Sequence, residues 1–292
     1  MDKKVLCIGE VLWDMIPSGR MIGGAPFNVA YHLNRLNVSV SMLSRIGNDE
    51  DGHEILAFLK RYEMDTSQVQ IDHEKATSRV NVYYDDTNSV KYDIVFPTAW
   101  DFIDIPQEDS TWRDVDYLVF GSLVFRNIVS RDTVMYFLKN TTATRVFDVN
   151  LRKPYYSKYL LFDILPYVDV LKLNEEELLL ISDWAGIGNI DIDAQLNSLM
   201  DLFDIKETIL TLGEKGALYK AKDTLDHVFR EAKSVEVVDT IGSGDSFLAG
   251  FLTRRISGDS IASSMDYAIA LAGLVSSKKG GCPDYSCDEI GN

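Results

Sequence analysis

The stretch VEVVDTIGSGDSFLAGFLTRRI, Val235 to Ile256, constrains this chain more than any other, because it runs an apolar segment through a glycine turn into an amphipathic one. Val235, Val237 and Val238 are β-branched and predict a short strand that stops near Asp239. Phe247, Leu248, Phe251 and Leu252 recur at the spacing of one helical face, so a helix is expected to start near Gly244. Gly242 and Gly244 allow positive φ and close backbone approach. The first turn of the helix leaves N–H groups unpaired at the positive end of its macrodipole, which makes an anion site suited to a phosphate in transfer. Asp245 stands in that same turn. Aspartate is an ordinary residue in a first helical turn, but two glycines and a second acid, Asp239, beside it favour a chemical role.

Composition limits what this junction can serve. With 292 residues, 46% hydrophobic and 25% charged, there is enough chain for one large α/β domain. A net charge of −16 weighs against nucleic acid or an anionic membrane as partner, since both call for a basic face. A bound nucleotide would need local help from helix termini, a divalent cation and a few basic side chains. Cys7, Cys282 and Cys287 form neither an even disulfide framework nor a metal-binding spacing, which points to a reducing compartment. Glu10 and Asp14 interrupt the apolar run of MDKKVLCIGEVLWD, so this segment reads as a first strand rather than a leader. No run reaches the ~20 apolar residues of a membrane span. A soluble, cytoplasmic protein is expected.

Along the chain, strand and helix patterns alternate. Val5 to Ile8 is a continuous apolar run, as in a strand buried on both faces of a parallel sheet. Gly23 and Gly24 precede a helix with Phe27, Ala30, Tyr31 and Leu33 on its apolar face and Asn28 in its first turn. A strand at 40–46 and a helix at about 52–62 follow. From Thr77 to Phe96 the pattern changes to a hairpin around a polar turn at Asp85 to Ser89, either an antiparallel edge of the main sheet or a separate small sheet. Alternation resumes with strands at 117–120 and 145–149. Just past the second, Asp148, Asn150 and Arg152 fall on alternate residues at a sheet edge of the kind where open α/β sheets bind ligands. The fixed, permanently charged fork of Arg152 suits a transferring phosphate or a sugar. A strand at 168–173 leads into NEEELLLIS, where Asn174 caps a helix with an acidic first turn. A helix at about 193–203, a strand at 209–212, a turn through Gly213 and Gly216, and a last apolar helix before SSKKGG complete the chain.

Two of these segments carry a resemblance. DTIGSGDSFLAGFL is similar to the C-terminal signature of the ribokinase-like carbohydrate kinases, DTxGAGDxFxxGF, with Ser243 in place of the usual alanine. The N-terminal segment resembles the same family's GG..N.A..L, continuing as SRIGNDEDG, and DVNLR is typical of its fructokinase branch. The resemblance implies a three-layer, doubly wound, mostly parallel α/β sheet in a single domain over 1–292, with lid elements at about 11–22 and 77–97. It implies an ATP:sugar phosphotransferase in which Asp245 removes the hydroxyl proton and the turn Gly242, Ser243 and Gly244 stabilises developing charge. Asp14, Gly23, Gly24 and Asn28 would hold the sugar, with Phe96 or a neighbour as an apolar wall. Asn174, Thr211, Gly213 and Gly216 would flank ATP, Glu177 with Asn174 would position Mg2+ through water, and Asp239 with Ile241 would bear on a monovalent cation such as K+. Fructose is the favoured acceptor; ribose, 2-keto-3-deoxygluconate or a nucleoside is the alternative within the same chemistry, and a catalytically silent sugar sensor is the alternative of another class. An exposed lid edge would also invite two copies to pair.

Overall fold

The strand expected at the start of the chain, β1 (Lys4–Ile8), lies inside the main sheet and pairs in parallel with strands on both sides. The computed structural model describes residues 3–16, 19–84, 90–106, 114–188, 190–222, 224 and 227–291. After β1 come β2 (Leu12–Ile16), β3 (Gly19–Gly23), α1 (Ala25–Arg35), β4 (Ser39–Gly47), α2 (Glu50–Arg61), β5 (Val69–Asp72), β6 (Ser78–Tyr84) and β7 (Val90–Ile94). Then follow β8 (Tyr117–Gly121), α3 (Ile128–Asn140), β9 (Thr144–Asp148), α4 (Lys158–Ile164), β10 (Val170–Asn174), α5 (Glu175–Ala185) and α6 (Ile192–Phe203). The chain ends with β11 (Glu207–Thr211), β12 (Ala217–Ala221), β13 (His227–Arg230), α7 (Ser243–Ile256) and α8 (Ile261–Ser276).

The main sheet has the order β13-β12-β11-β10-β9-β8-β1-β4-β5 and is parallel except at the β12 and β13 edge. Alternation along a strand sends neighbouring side chains to opposite faces, and β1 divides accordingly. Leu6 and Ile8 join a core with residues of α3, α4, α5 and α6, while Val5 and Cys7 join a second core with residues of α1, α2, α7 and α8. Helices on both faces of a mostly parallel sheet make the three-layer, doubly wound architecture. Local signals fix several helix starts. Asn174 accepts from the Glu177 N–H while Glu177 accepts from the Asn174 N–H, a reciprocal capping box at the head of α5.

The hairpin at 77–96 is not an edge of that sheet. β6 and β7 join β2 and β3 in a second sheet, order β3-β2-β6-β7, held by a parallel pairing of β2 with β6 in which Leu12 faces Ser78. The polar turn expected at Asp85 to Ser89 lies outside the described residues.

One strand is absent where the sequence predicted it. Val235, Val237 and Val238 belong to no strand and are 39%, 59% and 53% exposed. The Val238 N–H donates to the Ser276 carbonyl at the end of α8, so this run is tied to a helix rather than to a ladder. β-branched residues favour extended backbone, but a strand also needs a partner, and the main sheet ends at β13. β5, β13 and the helix α4 carry too few periodic residues to have been expected.

Candidate active site

The C-terminal ends of the central strands, the start of α7 and the inner face of the second sheet enclose a cleft of about 610 Å³. The helix start at its floor is local in origin. Gly242 caps α7 with φ +76°, and a Cβ there would come 2.5 Å from the Gly281 Cα, so both the conformation and the packing require glycine. The Ser243 N–H is taken by the Thr240 carbonyl at 3.2 Å. The amides of Gly242, Gly244 and Asp245 are the ones left to meet an anion, so Ser243, expected among the stabilising donors, serves the turn instead and does not line the cleft.

Asp245 is 9% exposed and lines this cleft. The Asn28 amide, from α1, donates to its Oδ2 at 2.8 Å, and the Cys282 thiol donates to Asn28 Oδ1 at 3.2 Å. Burial, and after it the charge of Asp148, pushes the Asp245 carboxyl up to about 6, against the pull of Asn28, Lys172 and Arg152. A carboxylate poised near neutrality is suited to accept a proton. Beside it lies a buried ion pair that sequence reasoning missed: Lys172 Nζ donates to Asp148 Oδ2 at 2.7 Å, with both side chains under a tenth exposed. A Cβ on Gly244 would sit 3.2 Å from Lys172 Nζ, so this cation lies directly under the anion-binding turn. The signal was there, as a single lysine inside the apolar strand VLKLN. With Arg152 and Lys153, Lys172 supplies positive charge to the cleft of an otherwise acidic chain.

At the other end stand Glu10, Asp14 and Gly24, with Leu12, Val80, Ile94 and Leu123 as apolar lining. Burial pushes Asp14 up to about 6 and Glu10 to about 7, in each case with Arg152 opposing. Gly23 does not line the cleft but packs against the Asp14 carboxyl. Phe96 is not the apolar wall. It is 49% exposed, next to Arg126 and Tyr155 at 5.0 Å and 6.3 Å between centres, and Ile94, two residues earlier, faces the cleft instead. The Arg126 guanidinium also lies 4.9 Å from the centre of the Tyr155 ring.

Asn174, Glu177 and Thr211 line the cleft, whereas Gly213 and Gly216 do not; they form the turn between β11 and β12, where Gly216 packs against the Arg230 carbonyl. Both Glu177 oxygens already accept backbone N–H groups, Oε1 from Leu151 and Oε2 from Asn174, each at 2.9 Å. Among the described residues no three His, Cys, Asp or Glu side chains gather to chelate a metal. The hard oxygens of Asp148 and Glu177, both lining the cleft, suit a magnesium ion, which takes one or two carboxylates and completes its shell with water and phosphate oxygens. Asp239 is a bracket: Oδ1 accepts from Ile241 N at 3.0 Å and Oδ2 from Gly280 N at 2.9 Å, which ties the anion-binding turn to the C-terminal segment. Among the described residues no helix is long and apolar enough to cross a membrane.

A helix start open to phosphate, a buried carboxylate beside it and a cleft rich in hydroxyl-binding groups define an α/β phosphotransferase. The chain belongs to the pfkB family of carbohydrate kinases, whose model matches residues 18–286. It is a carbohydrate kinase. It is 28% identical over 266 residues to the fructokinase of Escherichia coli, covering 87% of this chain and 84% of that protein. Its fold is similar to a fructokinase double mutant from Vibrio cholerae O395 in a form bound to fructose, ADP and potassium, with TM-score 0.82, 26% identity, and 96% and 94% of the two chains covered. It is also similar to the fructokinase of Xylella fastidiosa with bound ATP, with TM-score 0.86, 21% identity, and 97% and 94% covered.

Proposed function

We propose that this protein transfers the γ-phosphoryl group of ATP to D-fructose, giving fructose 6-phosphate and ADP, with Asp245 as general base. The observation that carries the reading is the position of Asp245: a buried carboxylate aligned by Asn28 in the same helical turn whose free amides face the cleft. Asp245 takes the proton from the sugar hydroxyl, the freed oxygen attacks the γ-phosphorus, and the bridging oxygen leaves with ADP. The amides of Gly242, Gly244 and Asp245, with Lys172 beneath them, lower the energy of the charge on the phosphoryl oxygens as it passes. Arg152 reaches the same region from the end of β9. Asp148 and Glu177 would hold magnesium, which would supply further neutralisation of the phosphates, and Asp239 with Ile241 would hold a monovalent cation beside the turn.

Five carboxyl groups, Glu10, Asp14, Asp148, Glu177 and Asp245, line the cleft. They ask for hydroxyl donors and oppose an acidic acceptor, which favours a neutral polyol over 2-keto-3-deoxygluconate. The relatives named fructokinase tilt the choice to fructose. Across a panel of sugars in a coupled ADP-release assay, fructose is expected to give the highest kcat/KM, above ribose, adenosine and 2-keto-3-deoxygluconate. Fastest turnover of any of those three would reassign the acceptor, and no ADP release with any sugar of the panel would point to a catalytically silent sugar sensor.

The second sheet acts as a lid that excludes water from the reacting phosphate, within a single kinase domain. Lids come from the low-stability end of a fold. β6 and β7 should therefore exchange amide hydrogens faster than β1 and β8 in the free protein and slow down when sugar binds. Unchanged exchange on saturation with fructose would make the sheet a fixed wall. The unpaired outer edges of β3 and β7 are also where a second copy would add strands, and sedimentation velocity reads that directly.

A further inference from the structure

Glu10 follows Gly9 at the end of β1 and is 3% exposed. One of its oxygens is used locally. Oε1 accepts from the Ala25 N–H at 3.1 Å and so caps the first turn of α1, whose N-cap, Gly24, has no side chain to do it. The other, Oε2, is fully buried and has no hydrogen-bond partner among the described residues. Glu10 lines the cleft together with Asp14, Asn28 and Asp245. An unpaired carboxyl oxygen inside a protein costs its full desolvation, and native structures keep such atoms where a ligand or a reaction uses them. The charged groups that act on it, Arg152 and Asp245, both face the same cleft.

We infer that Glu10 binds the acceptor: Oε2 pairs with one hydroxyl of the sugar, while Oε1, held by α1, fixes that hydroxyl relative to Asn28 on the same helix and to Asp245 beside it. One carboxyl group thus joins the helix that aligns the base to the substrate that gives up the proton. This rests on the cleft being the acceptor site of a sugar kinase. It makes Glu10 a residue that selects for a hydroxyl at one position of the sugar ring, separate from the hydroxyl that is phosphorylated.

Glu10→Gln keeps the shape and leaves an amide oxygen to cap Ala25, but turns an NH2 group toward the sugar, which cannot accept the hydroxyl proton. KM for fructose should rise about 10- to 100-fold, the range for a lost hydrogen bond to a charged group, while KM for ATP and the thermal midpoint stay near wild type. Monodeoxy fructose analogues give the second readout. The one lacking the paired hydroxyl should be poor for wild type yet no worse than fructose for Glu10→Gln, a loss of discrimination that a purely structural role would not produce. If Glu10→Gln does not fold, Glu10→Asp, which keeps the charge but is too short to cap and bind at once, should show the same pattern. Equal sugar KM for variant and wild type, or equal discrimination among the analogues, overturns the inference. Should wild type prefer another sugar to fructose, the acceptor assignment falls, and the same comparison on the preferred sugar still decides the role of Glu10. Should it phosphorylate none, both fall.

Discussion

Asp245→Asn should bind sugar and ATP while kcat falls by roughly 10²- to 10⁴-fold, the usual contribution of a positioned general base. The substitution keeps size and an oxygen to accept from Asn28, and removes only the basic carboxylate. Nucleotide binding should tighten, because a negative charge facing phosphate is lost. The pH profile supplies a second measurement. Burial, followed by the charge of Asp148, raises the Asp245 pKa to about 6, and the base works only when ionised. Wild-type kcat under saturating sugar and ATP should therefore be low below that pH, rise through it and level off above, and this limb should be missing from the variant. Glu10 and Asp14, raised by burial to about 7 and about 6, share the cleft, so kcat/KM will report the titration of the set rather than of one residue. If Asp245→Asn kept more than about a tenth of wild-type kcat with chemistry limiting, another group would have to take the proton.

Lys172→Met should be the most damaging single change to stability in the site. It leaves Asp148, whose side chain is 8% exposed, without the ammonium 2.7 Å away. Removing one member of a buried pair strands the other charge, at a cost of about 3–5 kcal/mol. The loss has a chemical side too. Lys172 holds the Asp245 pKa down, so without it the rising limb of the pH profile should move to higher pH. Replacing both partners, Lys172→Met with Asp148→Leu, should recover much of the stability but not the activity, since an apolar pair needs no compensation while the phosphoryl loses its cation. Denaturant unfolding of the two variants tests this. A single variant within about 1 kcal/mol of wild type would mean that water reaches Asp148 and the pair is not electrostatically buried.

The two residues on which these experiments turn were not equally legible. Asp245 follows from local spacing alone: two glycines, a helical apolar face and an acid in the first turn specify a helix start that binds anions, whatever the rest of the chain does. The same holds for β1, buried on both faces, and for the Asn174–Glu177 capping box, since each is written within a few residues. Lys172 and Glu10 are different. Nothing within ten residues says that Lys172 on β10 meets Asp148 on β9, or that one oxygen of Glu10 caps a helix fifteen residues ahead while the other stays unpaired. Phe96 or a neighbour was expected at the wall, and Ile94, two residues earlier and on the same face by alternation, lines the cleft, because β7 ends at Ile94 and the chain past it carries Phe96 to Arg126 and Tyr155. Val235 to Val238 have the β-branched residues of a strand but no strand edge to join, and the Val238 N–H goes instead to the end of α8. Thus backbone propensity, caps and amphipathic faces were determined by sequence neighbours, because their energetics act over one or two turns. Which acids share a cleft, which cation neutralises them and which polar atom is left for the substrate were decided only when distant strands came side by side, because burial and pairing are properties of the assembled sheet.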